Sequence, residues 1–514
     1  MKLLLSIFFA IIICVAAKSQ FISSEEKFFI ANELIPDSNF SALNDHFIFP
    51  KIVQEVDYTP EAKTSLLKRK LFFEHLLILK DENFNIKIDP VFDFRLGKEG
   101  ENSIYNNTRG FIINGKVAKN FFIRSEFYET QARLPQFASE WVDTMGFVPG
   151  MIRAKQFGNN GYDYGVVFGQ IMWQPVKNYG LRFGYDRFHV GQGYRSMILS
   201  DASQAYPFLM NSFAYKKWSL SHSIAILRNP DFNNRLGVRR SELGVYQPKW
   251  FSFTNFTYKV SEWLNLGLAE SIVFMPQDSI GKRFYPLSLL PLPLAKTIAV
   301  ESKGKHHAIT SLQIDASFLK FFKAYSQIVF DKFELKNLEY QQGFEGAFQI
   351  GLQGCFGEST MVFSEFNVAT NNAYTSNNKF TAFTNSDQPL AHPTGQQFRE
   401  IIVGANWRYK RFVSNFIFSA LYASALPITD NCLRADNYSD LLIKGFYSPA
   451  YSPDHAIHLQ FTTSYIINPA TNFNVFARLC YRKYDSVFQL VPKNTILYEF
   501  GIRHSIRKQY YDFF

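Results

Sequence analysis

The chain has 514 residues, of which 54 are Lys or Arg and 44 are Asp or Glu, so its formal net charge is +10. Aromatic residues are abundant, with 55 Phe, 27 Tyr and 6 Trp, although the mean hydropathy is only −0.12. Beyond the N-terminus, no uninterrupted apolar run approaches the roughly 20 residues that a membrane-spanning helix needs. This excludes a helical membrane protein and fits a transmembrane β-barrel, in which aromatic side chains cover the lipid-facing band and its interfaces.

The beginning of the chain has the features of a secretory signal peptide. A single charge at Lys2 precedes an apolar segment, residues 3–17, and small side chains follow where a signal peptidase would cut. We therefore expect residues 1–20 to be removed on export, leaving a mature chain that begins near Gln20.

Residues 21–80 lack the alternation of a strand, and we expect them to form a helical periplasmic segment. Within them, residues 60–79 are predicted to be a helix, because Thr59 can cap it and Pro60 is favoured at the first helical position. Six residues would share one stripe, expected to pack at the periplasmic rim: Leu66, Leu67, Leu71, Phe72, His75 and Leu76. On that stripe, His75 is expected to be a hydrogen-bonded packing residue rather than a ligand.

From residue 84 onward, the dominant pattern is the alternation of apolar and polar side chains. In residues 84–96, Phe92 and Phe94 face one side while Asp93 and Arg95 face the other, as the two-residue period of a strand requires. The pattern predicts eighteen strands, an even number as in bacterial barrels, near residues 84–96, 105–115, 120–130, 164–174, 180–187, 207–215, 221–228, 250–259, 264–275, 306–319, 321–333, 344–355, 359–368, 398–409, 412–423, 456–467, 472–484 and 496–506.

The connections between these strands alternate in length, which provides an independent check. Short turns, such as residues 216–220 and 410–411, separate long segments, such as residues 188–206 and 369–397. Outer-membrane barrels pair short periplasmic turns with long external loops. The sequence therefore predicts an all-β fold, a transmembrane barrel of antiparallel strands over residues 81–514, in the outer membrane, with polar residues facing the lumen.

Two features depart from this pattern. Glu270 has the same parity as Leu264, Leu266 and Leu268, so it would face lipid unless a β-bulge resets the register. The most apolar stretch after the N-terminus, residues 285–300, lies in an external connection and is interrupted by prolines.

The net positive charge predicts anionic partners, which at the outer membrane are lipid phosphates, lipopolysaccharide and acidic polysaccharides. One concentration of charge lies in the external loop 229–249, where Arg235, Arg239 and Arg240 could form an anion-binding rim. The alternative is a solvated loop that touches lipid headgroups. Nucleic acid is not an expected partner at the cell surface.

Patterns of catalysis and metal binding were not found. The sequence contains no G-x-S-x-G elbow, no H-E-x-x-H and no phosphate-binding loop, and no C-x-x-C pair for a metal. The inward carboxylates Asp93, Glu126, Asp331 and Glu365, together with the inward Arg124 and Gln327, are expected to pair with each other and to fix the lumen, mainly through structural ion pairs, rather than to catalyse a reaction. We therefore expect a non-enzymatic protein without metal or cofactor.

Three cysteines remain beyond the signal peptide, and an odd number leaves at least one thiol unpaired or intermolecular. By parity, Cys355 and Cys480 point into the barrel, whereas Cys432 lies in a loop. We expect them to be small packing residues rather than redox or metal sites.

Two long connections carry specific rather than low-complexity sequence. Residues 191–201 combine two glycines with an apolar triplet, which favours a loop folded into the barrel mouth, and residues 387–395 combine prolines with a histidine. Aromatic rings and planar charged groups suit sugar binding, but buried polar side chains can equally hold the loops in shape. The candidates for either role are Tyr194, Arg195, Asp201, His392, Arg399 and Glu400.

These two loops resemble signature stretches of the Wzi-type capsule assembly proteins of Bacteroidota, a family that includes gliding-motility-associated proteins of the RemB type. The similarity continues through most of the mature chain, at residues 69–76, 129–132, 270–274 and 327–331. The chain departs from the family pattern around residues 285–300, where relatives often have a more polar segment.

The resemblance implies an eighteen-stranded barrel with a helical periplasmic portion, acting as a surface lectin that helps to hold capsular polysaccharide on the cell. A porin-like channel, a motility-linked surface protein and an outer-membrane hydrolase remain as alternatives. Envelope or motility proteins are further potential partners. The sequence does not identify the glycan, the oligomeric state or whether the lumen is open.

Overall fold

The structure is a computed structural model of the chain. It describes residues 65–504, with gaps at 119, 230–246, 276, 279–280, 283–285, 300–305, 320, 332–344, 357–358, 377–380, 387, 424–454 and 486–493, and also residue 512.

Eighteen antiparallel strands form a closed barrel, as predicted. They are β1 Phe84–Glu99, β2 Asn102–Val117, β3 Phe121–Arg133, β4 Gly161–Val176, β5 Tyr179–Asp186, β6 Tyr206–Tyr215, β7 Trp218–Asn229, β8 Gln247–Lys259, β9 Leu264–Phe274, β10 His306–Phe318, β11 Phe322–Asp331, β12 Gly346–Phe356, β13 Thr360–Ala369, β14 Phe398–Tyr409, β15 Phe412–Ala423, β16 His455–Asn468, β17 Phe473–Asp485 and β18 Asn494–His504. Each strand pairs with its neighbours in sequence, and β18 closes the barrel by pairing with β1 from Phe92↔His504 to Glu99↔Leu497.

The two faces of the wall differ as the alternation predicts. In β11, every second side chain from Lys323 to Asp331 is buried in the lumen. The outward positions of other strands carry exposed apolar side chains, such as Leu96 in β1 and Ile401 in β14. The ends of the strands next to the short turns carry exposed aromatic residues, which form an interfacial girdle: Trp173, Tyr215, Trp218, Trp263, Trp407, Tyr409 and Phe412.

Helices are few and short in the described ranges: α1 Leu66–Phe72, α2 Gln136–Met145, α3 Ala295–Ala299 and a 3₁₀ turn Pro286–Leu289. None of these helices is long or apolar enough to cross a membrane. Five short strands occur in connections, and a sixth, Leu77–Lys80, lies before the barrel; the five are Lys155–Phe157, Gln277–Asp278, Gly281–Lys282, Thr384–Asn385 and Gln388–Pro389.

The helix predicted over residues 60–79 is wrong in its second half. The chain leaves α1 at Phe72 and then forms the strand Leu77–Lys80, which pairs antiparallel with the beginning of β1. The alternation of this four-residue strand is too short to be recognised in the sequence. The part of the prediction before residue 65 lies outside the described residues.

The predicted apolar stripe on this helix is not buried. Leu66 and Leu67 are 72% and 77% exposed. The segment is instead held by polar contacts, because the Asn468 side chain donates hydrogen bonds to the carbonyl oxygens of Lys70 and Glu74, at 3.0 and 2.9 Å. Asn468 ends β16 beside a short turn, so α1 lies at the short-turn rim.

His75 is a hydrogen-bonded residue, as predicted. Its Nδ1 lies 2.6 Å from Oδ2 of Asp89, a buried carboxylate on β1. The backbone N–H of Leu76 donates to the other oxygen of Asp89 at 2.8 Å. One inward carboxylate of the wall therefore anchors the chain just before it enters the barrel.

The four inward carboxylates predicted by parity are buried. Asp93 pairs with Arg95 at 3.1 Å, and Glu126 accepts a hydrogen bond from Arg124 at 2.6 Å. Cys355 and Cys480 are buried, and neither forms a disulfide among the described residues, whereas Cys432 lies outside those residues.

Glu270 faces outward without any β-bulge. Its pairings with Thr254 on β8 and Thr310 on β10 belong to uninterrupted registers. However, Glu270 is fully buried, because the connection after β9 returns along the outside of the wall and covers it.

Candidate functional site

Two external connections fold into the lumen. The first inner loop (residues 187–205) joins β5 to β6, and the second inner loop (residues 370–397) joins β13 to β14. Almost every described residue of the two loops is buried. The apolar triplet Met197, Ile198 and Leu199 is at most 2% exposed, which agrees with the prediction that this segment lies in the barrel mouth.

An apolar core forms where the loops meet the wall. From the loops it contains the triplet together with Tyr374, Phe383 and Leu390, and from the wall it contains inward aromatic side chains of β6 and β8, such as Phe208 and Phe251. Burial of this apolar surface stabilises the loops inside the barrel by about 25 cal/mol per Å² removed from water.

Hydrogen bonds join the two inner loops directly. The backbone N–H of Ser200 donates to the carbonyl oxygen of Leu390 at 2.7 Å. The Tyr374 hydroxyl donates to the carbonyl oxygen of Met197 at 2.6 Å. The loops therefore form one unit rather than two independent excursions from the rim.

Arg195 is the cation at the centre of this unit. It is 1% exposed, and its guanidinium donates to Glu400 at 3.0 Å and to Asp512 at 3.2 Å. The Tyr194 hydroxyl donates to the other oxygen of Asp512 at 2.7 Å. A buried cation needs such partners, since an unpaired charge in a protein interior costs several kcal/mol.

Glu400 is the main acceptor on the wall. In addition to Arg195, it accepts hydrogen bonds from His392 Nε2 at 2.7 Å, Asn367 at 3.2 Å and Ser419 at 3.3 Å. Both inner loops are thus joined to a single carboxylate of β14. Burial lowers the pKa of His392 below its ordinary value of 6.5, against the opposing effect of Glu400. His392 therefore donates to Glu400 as a neutral imidazole near pH 7.

Glu365, on β13, holds the tip of the first inner loop. It accepts the backbone N–H groups of Tyr194 and Arg195 at 2.7 and 3.1 Å, and the Tyr325 hydroxyl at 2.9 Å. The Tyr194 ring stacks on Phe363 of the same strand, with centroids 5.8 Å apart. The tip therefore reaches the half of the barrel that lies toward the short turns.

Three wall glutamines hold the backbone of the first inner loop. Gln327 was predicted to face inward, whereas Gln349 and Gln353 were not singled out from the sequence. Gln327 donates to Val190 at 2.8 Å, Gln349 to Arg195 at 3.0 Å and Gln353 to Gln192 at 2.7 Å, each to a carbonyl oxygen. Their odd numbering on adjacent strands β11 and β12 is the signal that could have grouped them, because it places all three on the inward face.

The two glycines of the first inner loop are required by close approach. A Cβ on Gly191, which has a φ of 108°, would lie 2.0 Å from the Gln327 amide nitrogen. A Cβ on Gly193 would lie 2.5 Å from the Glu365 carboxylate. A side chain at either position would therefore displace a wall residue that holds the loop.

The structure separates the predicted site residues into groups. Arg195, His392 and Glu400 meet in one buried cluster. Tyr194 and Asp201 retain partial exposure, and Asp201 lies 3.5 Å from His189. Arg399 is exposed on the outer face of β14, away from the others, because alternate residues of a strand face opposite sides.

Arg235, Arg239 and Arg240 lie outside the described residues. In the part of the chain that the structure describes, no group of three or more His, Cys, Asp or Glu side chains is arranged to hold a metal ion.

Comparison with known proteins finds no matching family model and no matching curated protein. The fold is similar to that of Wzi from Escherichia coli, described as an outer-membrane protein involved in group 1 capsule assembly and a carbohydrate-binding β-barrel. That likeness has 11% sequence identity and a TM-score of 0.50, and covers 81% of this chain and 85% of Wzi. The chain thus has a Wzi-like outer-membrane barrel fold.

Two proteins of Pseudomonas aeruginosa also match in structure. OprD matches with 8% identity and a TM-score of 0.43 over 86% of this chain and 98% of its own. OccK9 matches with 9% identity and a TM-score of 0.45 over 82% and 98%.

Proposed function

We propose that this outer-membrane barrel is a lectin-like, non-enzymatic protein that binds surface polysaccharide and retains it at the cell surface. The observation that carries the proposal is that two inner loops fold into the lumen. Buried ion pairs and hydrogen bonds join these loops to each other and to the wall, which favours a lumen that does not conduct.

The fold likeness to Wzi supports the same proposal at the level of architecture, and the resemblance of the loop sequences to Wzi-type proteins supports it at the level of motifs. Gliding motility, which is linked to one branch of that family, would use the same glycan-binding chemistry for a different purpose.

We assign different roles to the predicted site residues. Arg195, His392 and Glu400 are loop scaffold, because their side chains contact the loops and the wall and are at most 1% exposed. Asp201 is the candidate sugar contact, since its side chain keeps partial exposure near the β6 end of the first inner loop and can accept hydroxyl hydrogen bonds.

Arg399 suits an anionic lipid partner. It is exposed on the outer face, one residue from the external end of β14, where lipopolysaccharide phosphates lie. Arginine binds phosphate through paired N–H donors.

The proposal also covers the two N-terminal segments. We propose that residues 1–20 are a signal peptide that is removed and that residues 21–80 form a periplasmic segment.

The first test is conductance of the purified full-length protein in planar lipid bilayers. The proposal predicts no steady conductance step above that of protein-free membranes, because the inner loops would block the lumen. Stable open-channel steps in the wild-type protein would contradict the proposal and favour a porin-like channel.

The second test measures the ratio of cell-attached to shed polysaccharide in a deletion strain. Wild-type protein should restore attachment, and Asp201→Asn should restore less of it while folding normally. Glu101→Gln, an exposed carboxylate in the external turn between β1 and β2, is the matched control and should behave as wild type. An unchanged ratio in the deletion strain would overturn glycan retention, and a gliding assay of that strain would then test the motility role.

A further inference from the structure

A row of polar side chains crosses the outer, lipid-facing side of the wall. Residues paired directly across strands share one face, so the registers define rows around the barrel. The polar row runs over β6 to β10 as Asn211, His222, Thr254, Glu270 and Thr310.

The neighbouring rows on the same face are mostly apolar. The row nearer the short turns is Phe213, Leu220, Phe256, Leu268 and Leu312. The row nearer the external loops is Leu209, Ile224, Ser252, Ile272 and Ala308. Apolar rows on both sides place the polar row within the apolar band rather than above it.

The height of the row agrees with this position. Tyr258 lies one residue before the end of β8, next to the aromatic girdle, and Thr254 lies four residues further up the strand. At about 3.3 Å per residue this is about 13 Å along a tilted strand, against an apolar band about 25 Å tall. The row therefore lies at the depth of the acyl chains.

Polar groups at that depth are costly unless they find partners. The partners come from the connection between β9 and β10, which we call the outer strap (residues 286–299). Thr297, in the first turn of α3, donates its backbone N–H and its hydroxyl to Glu270 at 2.6 and 2.8 Å. Glu270 thus satisfies one of the N–H groups that a helix N-terminus leaves without a partner.

Further contacts hold the strap to the polar row and to the row nearer the external loops. Lys296 Nζ donates to the Thr254 hydroxyl at 2.6 Å and lies 3.9 Å from Glu270 Oε2. The Ser252 hydroxyl donates to the carbonyl oxygen of Ser288 at 2.8 Å. Glu270, Lys296, Thr254 and Ser252 are all fully buried, so the strap seals the polar row.

The side of the strap that faces away from the barrel is apolar. Leu289, Leu290 and Leu292 are 49%, 40% and 57% exposed. These exposed fractions are similar to those of outward-facing residues of the wall. Leu312, in the row nearer the short turns, is 39% exposed, and Leu266, one row further toward the short turns, is 41% exposed. The strap therefore continues the apolar band where the wall itself is polar.

We propose that the outer strap is embedded in the membrane and that its leucine face binds lipid acyl chains, while its inner face pairs with the polar row of the wall. The barrel surface here is made of two layers, a polar wall and an apolar cover contributed by an external loop. The occupant is lipid, because the leucines lie at band height and are continuous with lipid-facing positions.

The test uses nitroxide spin labels on the full-length protein, reconstituted in dimyristoyl phosphatidylcholine vesicles. The label is attached through Leu290→Cys in a Cys432→Ser background, since Cys355 and Cys480 are buried. Leu312→Cys is the lipid-facing control, and Glu101→Cys is the water-exposed control. We expect the label at 290 to collide with oxygen and to exclude a nickel chelate, as the label at 312 does.

Two results would overturn the proposal. Nickel access equal to that at position 101 would place the leucine face in water. Low access to both reagents, with spin–spin broadening between labels, would show that the face contacts a second copy of the chain. Glu270→Leu, which removes the acceptor of Thr297, should make the label at 290 more mobile, whereas Glu262→Leu at an exposed short turn should leave its motion unchanged.

Discussion

The inside and the outside of the wall bury charge in different ways. Inside, Arg195 and Glu400 belong to a network with six further polar partners from the loops, the wall and Asp512. Outside, Glu270 relies on the backbone N–H and the hydroxyl of Thr297 and on Lys296 at 3.9 Å. Inside, many hydrogen bonds and ion pairs fix the position of the loops. Outside, a few contacts are enough to hold the strap on the wall, because the side of the strap that faces away from the barrel is apolar.

The largest expected effect comes from breaking the inner network. Arg195→Ala leaves Glu400 and Asp512 without their cation, so the free energy of unfolding should fall by about 3–5 kcal/mol. Urea unfolding of the reconstituted barrel, followed by tryptophan fluorescence, would measure it. Arg399→Ala, on the opposite face, is the matched control and should change the free energy by less than about 0.5 kcal/mol. Equal effects would mean that the inner network does not hold the loops.

The outer pair should behave differently when both partners are removed. Glu270→Leu alone leaves the Thr297 N–H without an acceptor and Lys296 without a counterion, at a cost of about 1–3 kcal/mol. With Lys296→Met added, the loss should be smaller than the sum of the two single losses, because apolar groups can replace a buried ion pair. A double-mutant cycle on unfolding free energies measures this coupling. Simple additivity would argue against a paired polar row under the strap.

His392 should give the inner network a dependence on pH. Because burial lowers its pKa below 6.5 in the folded protein, the unfolded chain takes up the proton first as the pH falls. Stability is therefore present above about pH 6.5 and is lost as the pH decreases below it. His392→Gln keeps an N–H donor but does not titrate, so its free energy of unfolding should fall less between about pH 7.5 and 5 than that of the wild type. Parallel curves would contradict this assignment.

The smallest effect tests the contact between the inner loops. Tyr374→Phe removes the hydroxyl that donates to Met197, which should cost about 1 kcal/mol. Tyr422→Phe, at a side chain 45% exposed on the outer face, should cost almost nothing. If the two changes are indistinguishable in urea unfolding, the loops are held to the wall independently rather than to each other.

The strands could be predicted because alternation is a local signal. Residues 398–409 and 412–423 coincide with β14 and β15, since one face of each is apolar and the other polar. Parity also predicts that Arg399 and Glu400 face opposite sides of β14, although both residues were predicted as candidates for the same site because they are neighbours in sequence.

What the sequence could not predict is which segment covers a given face. Parity correctly turns Glu270 outward, but the cover comes from a loop whose path depends on contacts with Thr297 and Ser288 that no periodicity encodes. The same holds for Asp512, which meets Arg195 across 317 residues of sequence. The strand Leu77–Lys80 was missed because four residues are too few to distinguish a strand from a helix end.

The seam of the barrel has a consequence for how the sheet assembles. Among the described residues, strand β18 pairs along β1 as far down as Phe92, while the strand Leu77–Lys80 pairs with Asn85–Ile88 near the beginning of β1. These lower pairs join residues close in sequence, so their formation costs little chain entropy, whereas the upper pairs must bring together the two ends of the barrel chain. The lower part of β1 can therefore pair with Leu77–Lys80 early in folding, before β18 pairs with β1. The backbone N–H and C=O groups of this part of β1 then form hydrogen bonds before the barrel closes.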